Sequence, residues 1–414
     1  MLGKGNDAWT QYDLNTPAAM ADPYPVYARI LSEAPVHWNK GMGGWVVASY
    51  DDVTSLLRDS RLSANRLAPL ATLLTEQQRL RMAPIFATVS RWTLLLDPPE
   101  HTRLRGLTQK GFSPRVLGGI RPRIAELTDA LLDNLQGKKA VDLVADFALP
   151  LPAMVIAELL GAKAEDFARF RSWSDDIARL FSVGEFTDKL IDEINRPLLE
   201  MGSYLHEIIE DRRRARRHDL ISHLLDVQQQ GAPLSDEEIE AECIFLLVAG
   251  HETTVNLIGT STLALLQAPA QTEKLRSDPT LMANAVEEFL RYDGPVKWVT
   301  RMAAEAIELR GARIEAGDLV VLLTGAANRD PSQFSDPDRL DVTRTEGRQV
   351  GFGFGTHFCE GAQLARMEME IAMTTLLRRL PAFRLAVPID TLAWNNNTHM
   401  RCLKALPIDL SSPD

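Results

Sequence analysis

The 414-residue sequence predicts a mainly α-helical protein with smaller β regions. From about residue 115 to residue 290, apolar residues recur mostly at helical spacing, as in RIAELTDALLDNL. Before this body, the stretch APVHWNKGMGGWVVASYDDV predicts two short strands around a turn at Gly41 to Gly44, followed by a helix start at Asp51 and Asp52. After residue 301, apolar runs such as DLVVLLT alternate with the turn-rich NRDPSQFSDPDRLD. This pattern indicates a second β region.

Composition and organisation narrow the class of protein. With 45% hydrophobic and 24% charged residues the chain is typical of a globular protein, and its net charge of -11 argues against a general affinity for nucleic acid. No repeat or linker marks a boundary, so we expect one domain over residues 1–414, and a monomer. The first 20 residues lack the uninterrupted apolar segment of a signal peptide, and no stretch of the sequence approaches the roughly 18 apolar residues of a membrane span. We therefore expect a cytoplasmic protein without a membrane partner.

The three cysteines, Cys243, Cys359 and Cys402, are too few and too far apart for a disulfide framework. Cys359 lies in GFGFGTHFCEGAQLAR, between a glycine-rich turn and the predicted start of a helix. Turn amides and the helix dipole favour a thiolate there, so the sulfur could serve as a nucleophile, a redox sensor or a metal ligand. The alternative is a small buried side chain, as most free cysteines are.

A predicted core helix, at about residues 241–268, carries polar residues in its middle: FLLVAGHETTVNLIGTSTLALL. Glycine costs about 1 kcal/mol in a helix interior and a buried carboxylate costs more, so Gly250 and Glu252 need a reason. Thr253 can donate to a carbonyl one turn back and bend the helix, which would open a groove beside Gly250. Thr253 and Glu252 would then form a proton relay. We interpret His251 as an ordinary satisfied or exposed histidine, since HETTV lacks the second histidine of a zinc protease.

A third segment, Glu288-Phe289-Leu290-Arg291, is an i, i+3 ion pair that would be worth only about 0.2–0.5 kcal/mol if exposed. Its significance comes from its place between the core helix and the Cys359 loop. These segments, in this order, resemble the cytochrome P-450 family of heme-thiolate monooxygenases in its soluble bacterial form. The resemblance covers most of the chain, from DPYPVYARI near residue 22 to RCLKALPI near residue 401.

The resemblance implies a cytochrome P-450 fold with heme b (iron protoporphyrin IX) between the core helix and the Cys359 loop helix. Cys359 is then the metal ligand, and Glu252 and Thr253 are the catalytic residues that deliver protons to dioxygen. In the family pattern, His101, Arg105, Arg301 and His357 would face the heme propionates. The full set of implied cofactor-binding residues is His101, Arg105, Ala249, Arg301, Phe352, Gly353, His357, Cys359 and Gly361. Glu288 and Arg291 would form a structural triad with Arg344. The expected substrate pocket comprises Phe245, Val248, Ala249, Val296, Trp298 and Asn396.

The implied function is to hydroxylate or epoxidise an apolar small molecule with O2, in secondary or catabolic metabolism. Electrons would come from an external ferredoxin or flavodoxin-type donor, because no flavin or iron–sulfur segment is present in the 414 residues. The alternatives are a heme-thiolate enzyme for oxidative coupling or peroxide-driven oxidation, and a non-catalytic heme sensor. The Glu252-Thr253 pair argues against the peroxide route, and a pocket-covering segment at residues 66–92 argues against the sensor.

Three positions depart from the family pattern: Glu360 stands where an apolar residue is common, Gly106 where many relatives carry arginine, and Cys402 where glycine is usual. We expect Glu360 to lower the heme potential or to alter partner docking. Cys402 could be a reactive surface thiol.

Overall fold

The computed structural model describes residues 12–112, 114–181, 187–380, 382–395 and 397–411. The helices in these ranges are α1 Pro17–Ala21, α2 Tyr24–Glu33, α3 Tyr50–Leu56, α4 Leu67–Leu73, α5 Glu76–Arg81, α6 Ala83–Val89, α7 Glu100–Thr108, α8 Pro114–Asp133, α9 Pro150–Leu160, α10 Phe167–Ala178, α11 Asp188–Arg214, α12 Leu220–Gln229, α13 Asp236–Gln267, α14 Pro269–Ser277, α15 Met282–Asp293, α16 Thr324–Ala327 and α17 Ala362–Arg379. The strands are β1 Val36–Asn39, β2 Gly44–Val47, β3 Leu62–Ser63, β4 Ala140–Asp142, β5 Val299–Ala303, β6 Ile307–Leu309, β7 Ala312–Ile314, β8 Leu319–Leu322, β9 Arg384–Leu385 and β10 Pro407–Asp409.

The two predicted β regions join into one sheet. Its five strands are ordered β1-β2-β8-β5-β3, so the N-terminal hairpin lies beside strands from the second half of the chain. β2 and β8 are parallel, with Trp45 opposite Val320, and the other pairs are antiparallel. A three-stranded sheet, β4-β10-β9, and the hairpin β6-β7 are separate. The mainly helical prediction with smaller β regions is confirmed.

Helix α13 lies at the centre of the helical body. It packs against α9, α10, α11, α15 and α17, and most of its residues from Ile239 onward are buried. It begins five residues before the predicted start near 241, because Ser235 and Glu238 form a capping box at its N-terminus. Because the first turn consists of acidic residues, apolar periodicity in the sequence does not indicate where the helix begins.

Helix α13 also corrects an expectation about membrane spans. Among the described residues it is a helix long and apolar enough to cross a membrane, with a mean hydropathy of 1.3 over its most apolar window. However, 78% of that window is buried inside the protein. Its apolar surface is therefore used in packing against neighbouring helices, as in the core helix of a globular protein.

Candidate active site

The Cys359 loop is held by backbone hydrogen bonds and by a glycine that no other residue could replace without strain. The Cys359 amide donates to the Phe352 carbonyl at 2.8 Å. Gly355 has a φ of +73°, and a Cβ there would lie 2.8 Å from the Leu57 carbonyl oxygen. Gly361 then caps α17. The loop thus presents Cys359 at the start of a helix, as the sequence predicts.

The environment of the Cys359 thiol differs in part from the prediction. The Gly361 amide does hydrogen-bond the sulfur and lowers its pKa, but burial is the larger influence and raises the pKa above its usual value. A buried thiol of this kind is a poor free nucleophile, because the thiolate is the reactive form. Bonding to a cation would stabilise that thiolate, so the surroundings favour a metal ligand over the other two roles.

Four nitrogen-bearing side chains lie together near this loop: His101 and Arg301 are buried, and His357 and Arg66 are half-buried. The rings of His101 and His357 are 4.1 Å apart, and neither ring nitrogen of His101 has a hydrogen-bond partner among the described residues. Burial lowers the pKa of His357 to about 3, with further contributions from Arg301 and Arg66. Both arginines donate to the Thr300 carbonyl, and burial lowers the pKa of Arg66 to about 10. Neither has an ion-pair partner within 4.0 Å in the part of the chain that the structure describes.

These residues fit a heme. Cationic groups and ring donors with little exposure, and without an ion-pair partner among the described residues, favour bound anions, and the two propionates of a porphyrin would supply them. The Cys359 sulfur lies close by, since the charge of Arg105 acts on both Cys359 and His357. Arg66 was missed in the sequence, because nothing in LSANRLAPL distinguishes it from a surface arginine.

Arg105 faces the loop itself. Its guanidinium donates to the Phe358 carbonyl at 2.5 Å and lies 3.5 Å from the Glu360 carboxylate, which also accepts from Thr108 at 2.6 Å. Glu360 therefore points into the protein, and its side chain is only 4% exposed. The expectation that Glu360 alters partner docking loses support, because docking would require a surface position.

A second carboxyl that the sequence did not single out lies beside Glu360. Glu242, on α13, is fully buried and accepts from Thr93 at 3.1 Å, while its other oxygen has no partner among the described residues. Burial, followed by the neighbouring Glu360 carboxylate, raises the pKa of Glu242 well above its usual value. The two carboxyls therefore share a site that favours a bound proton.

The middle of α13 has the predicted hydrogen bond, and Gly250 lies against a neighbouring helix. The Thr253 hydroxyl donates to the Ala249 carbonyl at 2.8 Å. A Cβ on Gly250 would lie 2.8 Å from the Cδ1 of Ile156 on α9. The side beside Gly250 is thus occupied by a neighbouring helix, and the glycine serves close helix packing there.

The two residues before Thr253 have different surroundings. His251 is buried, and burial lowers its pKa to about 4, so it is neutral and does not lie on the surface. Glu252 is half-buried, and its carboxylate lies 3.7 Å from the sulfur of Cys402. Burial and the charge of Asp175 raise the pKa of Glu252.

The structure brings together the predicted triad. Arg291 donates two hydrogen bonds to Glu288, at 2.7 and 2.8 Å, and Arg344 lies 3.2 Å from the same carboxylate. The Asp341 amide donates to Glu288 at 2.8 Å, and Arg291 also donates to the Asn328 carbonyl. The triad therefore ties α15 to the segment that precedes the Cys359 loop.

The expected pocket residues fall into two groups. On α13, Phe245 lies against Trp92, with ring centroids 5.5 Å apart. Val248 and Ala249 follow on that helix, and all three belong to the helical core. The ring centroid of Trp298 instead lies 4.7 Å from that of His399, and Trp298 packs against a hydrophobic cluster that includes Tyr27 and Ile30 of α2. Val296 forms a β-bridge with Met400. Asn396 lies outside the described residues.

Comparison with known proteins places this site in a family. The family model for cytochrome P-450 matches residues 45–399. The chain belongs to the cytochrome P-450 family. It is therefore a cytochrome P-450 monooxygenase, and its cofactor is heme b.

Three relatives show the breadth of this family. The polyketide biosynthesis cytochrome PksS of Bacillus subtilis is 37% identical over 399 residues, 94% of this chain and 96% of that protein. Vitamin D(3) 25-hydroxylase of Pseudonocardia autotrophica is 40% identical over 97% of this chain and 96% of its own. The structure of BioI with an acyl carrier protein ligated with hexadec-9Z-enoic acid has a TM-score of 0.87 and 36% identity, covering 95% of this chain and 99% of that one.

Proposed function

We propose that this cytochrome P-450 uses O2 to hydroxylate or epoxidise an apolar small molecule, with electrons from an external ferredoxin or flavodoxin-type donor. The observation that carries the proposal is the pairing of a half-buried cysteine loop with a core helix that bears an acid and an alcohol. The enzyme would act in the cytoplasm, in secondary or catabolic metabolism. Residues 1–414 would work as one domain and as a monomer.

We assign Cys359 as the iron ligand, with the Gly361 amide hydrogen-bonded to its sulfur. When bound, a thiolate-ligated heme supplies the activation of dioxygen. His101, Arg301, His357 and Arg66 would hold the propionates, because they are buried or half-buried donors without an ion-pair partner within the described residues. In this assignment Arg105 serves the loop more directly than the propionates, since it donates to the Phe358 carbonyl.

Thr253 and Glu252 would move protons. The Thr253 hydroxyl already uses its hydrogen to bond the Ala249 carbonyl, so its oxygen lone pairs remain available to accept another hydrogen bond. The raised pKa of Glu252 brings that carboxyl closer to neutral pH, where groups that transfer protons work best. Together they can supply protons beside Ala249 while the rest of α13 excludes water.

The substrate class follows from the apolar face of α13 and from the relatives. Phe245, Val248 and Ala249 offer no charge to a bound molecule. The names of the relatives refer to polyketide biosynthesis, to vitamin D(3) and to a fatty acyl chain on a carrier protein. A mostly apolar molecule is common to all three, so we propose such a substrate here.

The first test of this function is the absorption spectrum of the purified protein, reduced with dithionite and exposed to carbon monoxide. A strongly red-shifted Soret band is expected for a thiolate opposite the gas site. Cys359→Ala should lose that band, and an unchanged spectrum in the variant would mean that another residue binds the iron.

The relay has its own test. Thr253→Ala should consume electron donor but release hydrogen peroxide in place of product. Thr262→Ala is the matched control. Thr262 lies two and a half turns after Thr253 on α13, and its hydroxyl also donates to the carbonyl one turn back, that of Ile258, at 2.8 Å. Equal product yields in the two variants would exclude Thr253. Full activity of Thr253→Ala with added peroxide alone would instead support the peroxide-driven alternative.

A further inference from the structure

Glu252 has one described hydrogen-bond partner outside its own helix, and that partner is a thiol. We propose that Cys402 is a positioning residue that holds the carboxyl of Glu252 through a thiol hydrogen bond and so adjusts proton delivery. The inference rests on the proposed relay role of Glu252. It assigns Cys402 no contact with substrate or heme.

The contact belongs to a short chain of hydrogen bonds. The Asn256 amide donates to the Cys402 sulfur at 2.9 Å, and the sulfur in turn donates to the Glu252 carboxylate at 3.7 Å. Asn256 lies one helical turn after Glu252, so the thiol is bound between two side chains on the same face of α13. Bonds in such a chain polarise one another, which orients the S–H group toward the carboxylate.

The backbone around Cys402 is fixed from both sides. The Asn395 amide donates to the Cys402 carbonyl at 2.9 Å, and Leu403 pairs with Trp394. The preceding residue, Arg401, lies over the Trp394 ring and 3.1 Å from Asp293. Cys402 is 2% exposed, so it is not a surface thiol. A buried, anchored sulfur can hold a carboxyl in one place.

The charges that face Glu252 explain why a thiol matters there. Burial and the carboxylate of Asp175, on α10, raise the pKa of Glu252, whereas the Cys402 hydrogen bond lowers it. Lys297 acts on Cys402, and no cation lies within ion-pair distance of Glu252 among the described residues. A thiol is a weak donor, so it orients the carboxyl without removing its capacity to take up a proton. An arginine or lysine at this place would keep the carboxyl ionised.

Infrared spectroscopy of the S–H stretch tests the contact without relying on turnover. In the heme-loaded protein Cys359 is expected to be a thiolate, which leaves the S–H groups of Cys243 and Cys402. Cys402→Ala identifies the Cys402 band, and Cys243→Ala is the matched control, because Cys243 is an equally buried cysteine on α13. Glu252→Ala should move the Cys402 band to higher frequency. An unmoved band would overturn the proposal.

The pH profile of product yield per electron donor consumed tests the positioning role. Loss of a donor to the carboxylate form raises the pKa of Glu252. Because Glu252 supplies protons from its protonated form, Cys402→Ala should shift the alkaline limb of the profile upward by about 0.5 to 1 pH unit. Cys402→Ser restores a donor and should return the limb toward its original position. A limb unchanged in Cys402→Ala, with a normal carbon monoxide spectrum, would also overturn the proposal.

Failure of the proposed function has a different signature. If Cys359 does not bind iron, a third S–H band appears in the loaded protein, and the red-shifted carbon monoxide band is missing. The Cys402 band and its response to Glu252→Ala still decide the contact in that case.

Discussion

Replacing Glu242 with glutamine should change how stability depends on pH. Burial and the Glu360 carboxylate raise the pKa of Glu242 above its usual value, so the folded protein keeps a proton that the unfolded chain releases above about pH 4.3. A state that binds more protons is favoured at low pH, and the free energy of unfolding therefore falls as pH rises toward the raised pKa. One proton corresponds to a slope of about 1.4 kcal/mol for each pH unit.

The contribution of Glu242 to the free energy of unfolding should thus fall by about 2 to 3 kcal/mol between pH 5 and pH 7. Glutamine keeps the shape of the side chain and its hydrogen bond from Thr93, but it does not titrate. We would measure urea unfolding of the heme-loaded protein by far-ultraviolet circular dichroism at several pH values. The free energy of unfolding of Glu242→Gln should fall less steeply with pH than that of the wild type, by about 1.4 kcal/mol for each pH unit.

The control is Glu273→Gln, which removes a titratable carboxyl from an exposed position on α14 and should leave the slope unchanged. Parallel slopes for Glu242→Gln and the wild type would refute the reasoning, because they would mean that Glu242 is ionised in the folded protein.

Two further predictions concern the framework of the site. Gly355→Ala should lower heme content and unfolding temperature, because alanine is strained at a positive φ and its Cβ would lie 2.8 Å from a carbonyl oxygen. The control is Gly118→Ala, because no neighbouring atom lies within 4 Å of a Cβ at that position. Equal losses in the two variants would contradict this account. Glu288→Gln should cost about 3–5 kcal/mol in urea unfolding, because Arg291 stays buried without a counterion. A loss below about 1 kcal/mol would mean that water reaches Arg291.

The position of the cysteine loop was predictable because its determinants are local. A glycine-rich turn before a helix constrains the backbone over a few residues, and the observed loop, with Gly355 at φ +73° and α17 starting at Ala362, matches this pattern. The triad of Glu288, Arg291 and Arg344 was predictable for a different reason. Its motifs recur in one order in a known family, although an isolated Glu-x-x-Arg pair says little.

The residues missed or misplaced share a dependence on distant partners. Glu242 and Glu360 stand on separate elements, and neither sequence neighbourhood indicates that the two carboxyls meet. The close approach of Gly250 to Ile156, on a helix almost a hundred residues earlier, is likewise not visible in the segment around Gly250. Cys402 was interpreted as a surface thiol because a lone cysteine near the C-terminus carries no signal of burial.

The sequence by itself determined the family, the mainly helical fold and the positions of the cysteine loop and the acid–alcohol pair. Only the tertiary structure decided which side chains meet across the fold, such as Cys402 with Glu252, 150 residues apart along the chain. Local motifs specify local backbone geometry. The protonation state of a side chain and its choice of partner instead depend on burial and on charges a few ångströms away. The packing of remote segments determines both the burial and the position of those charges.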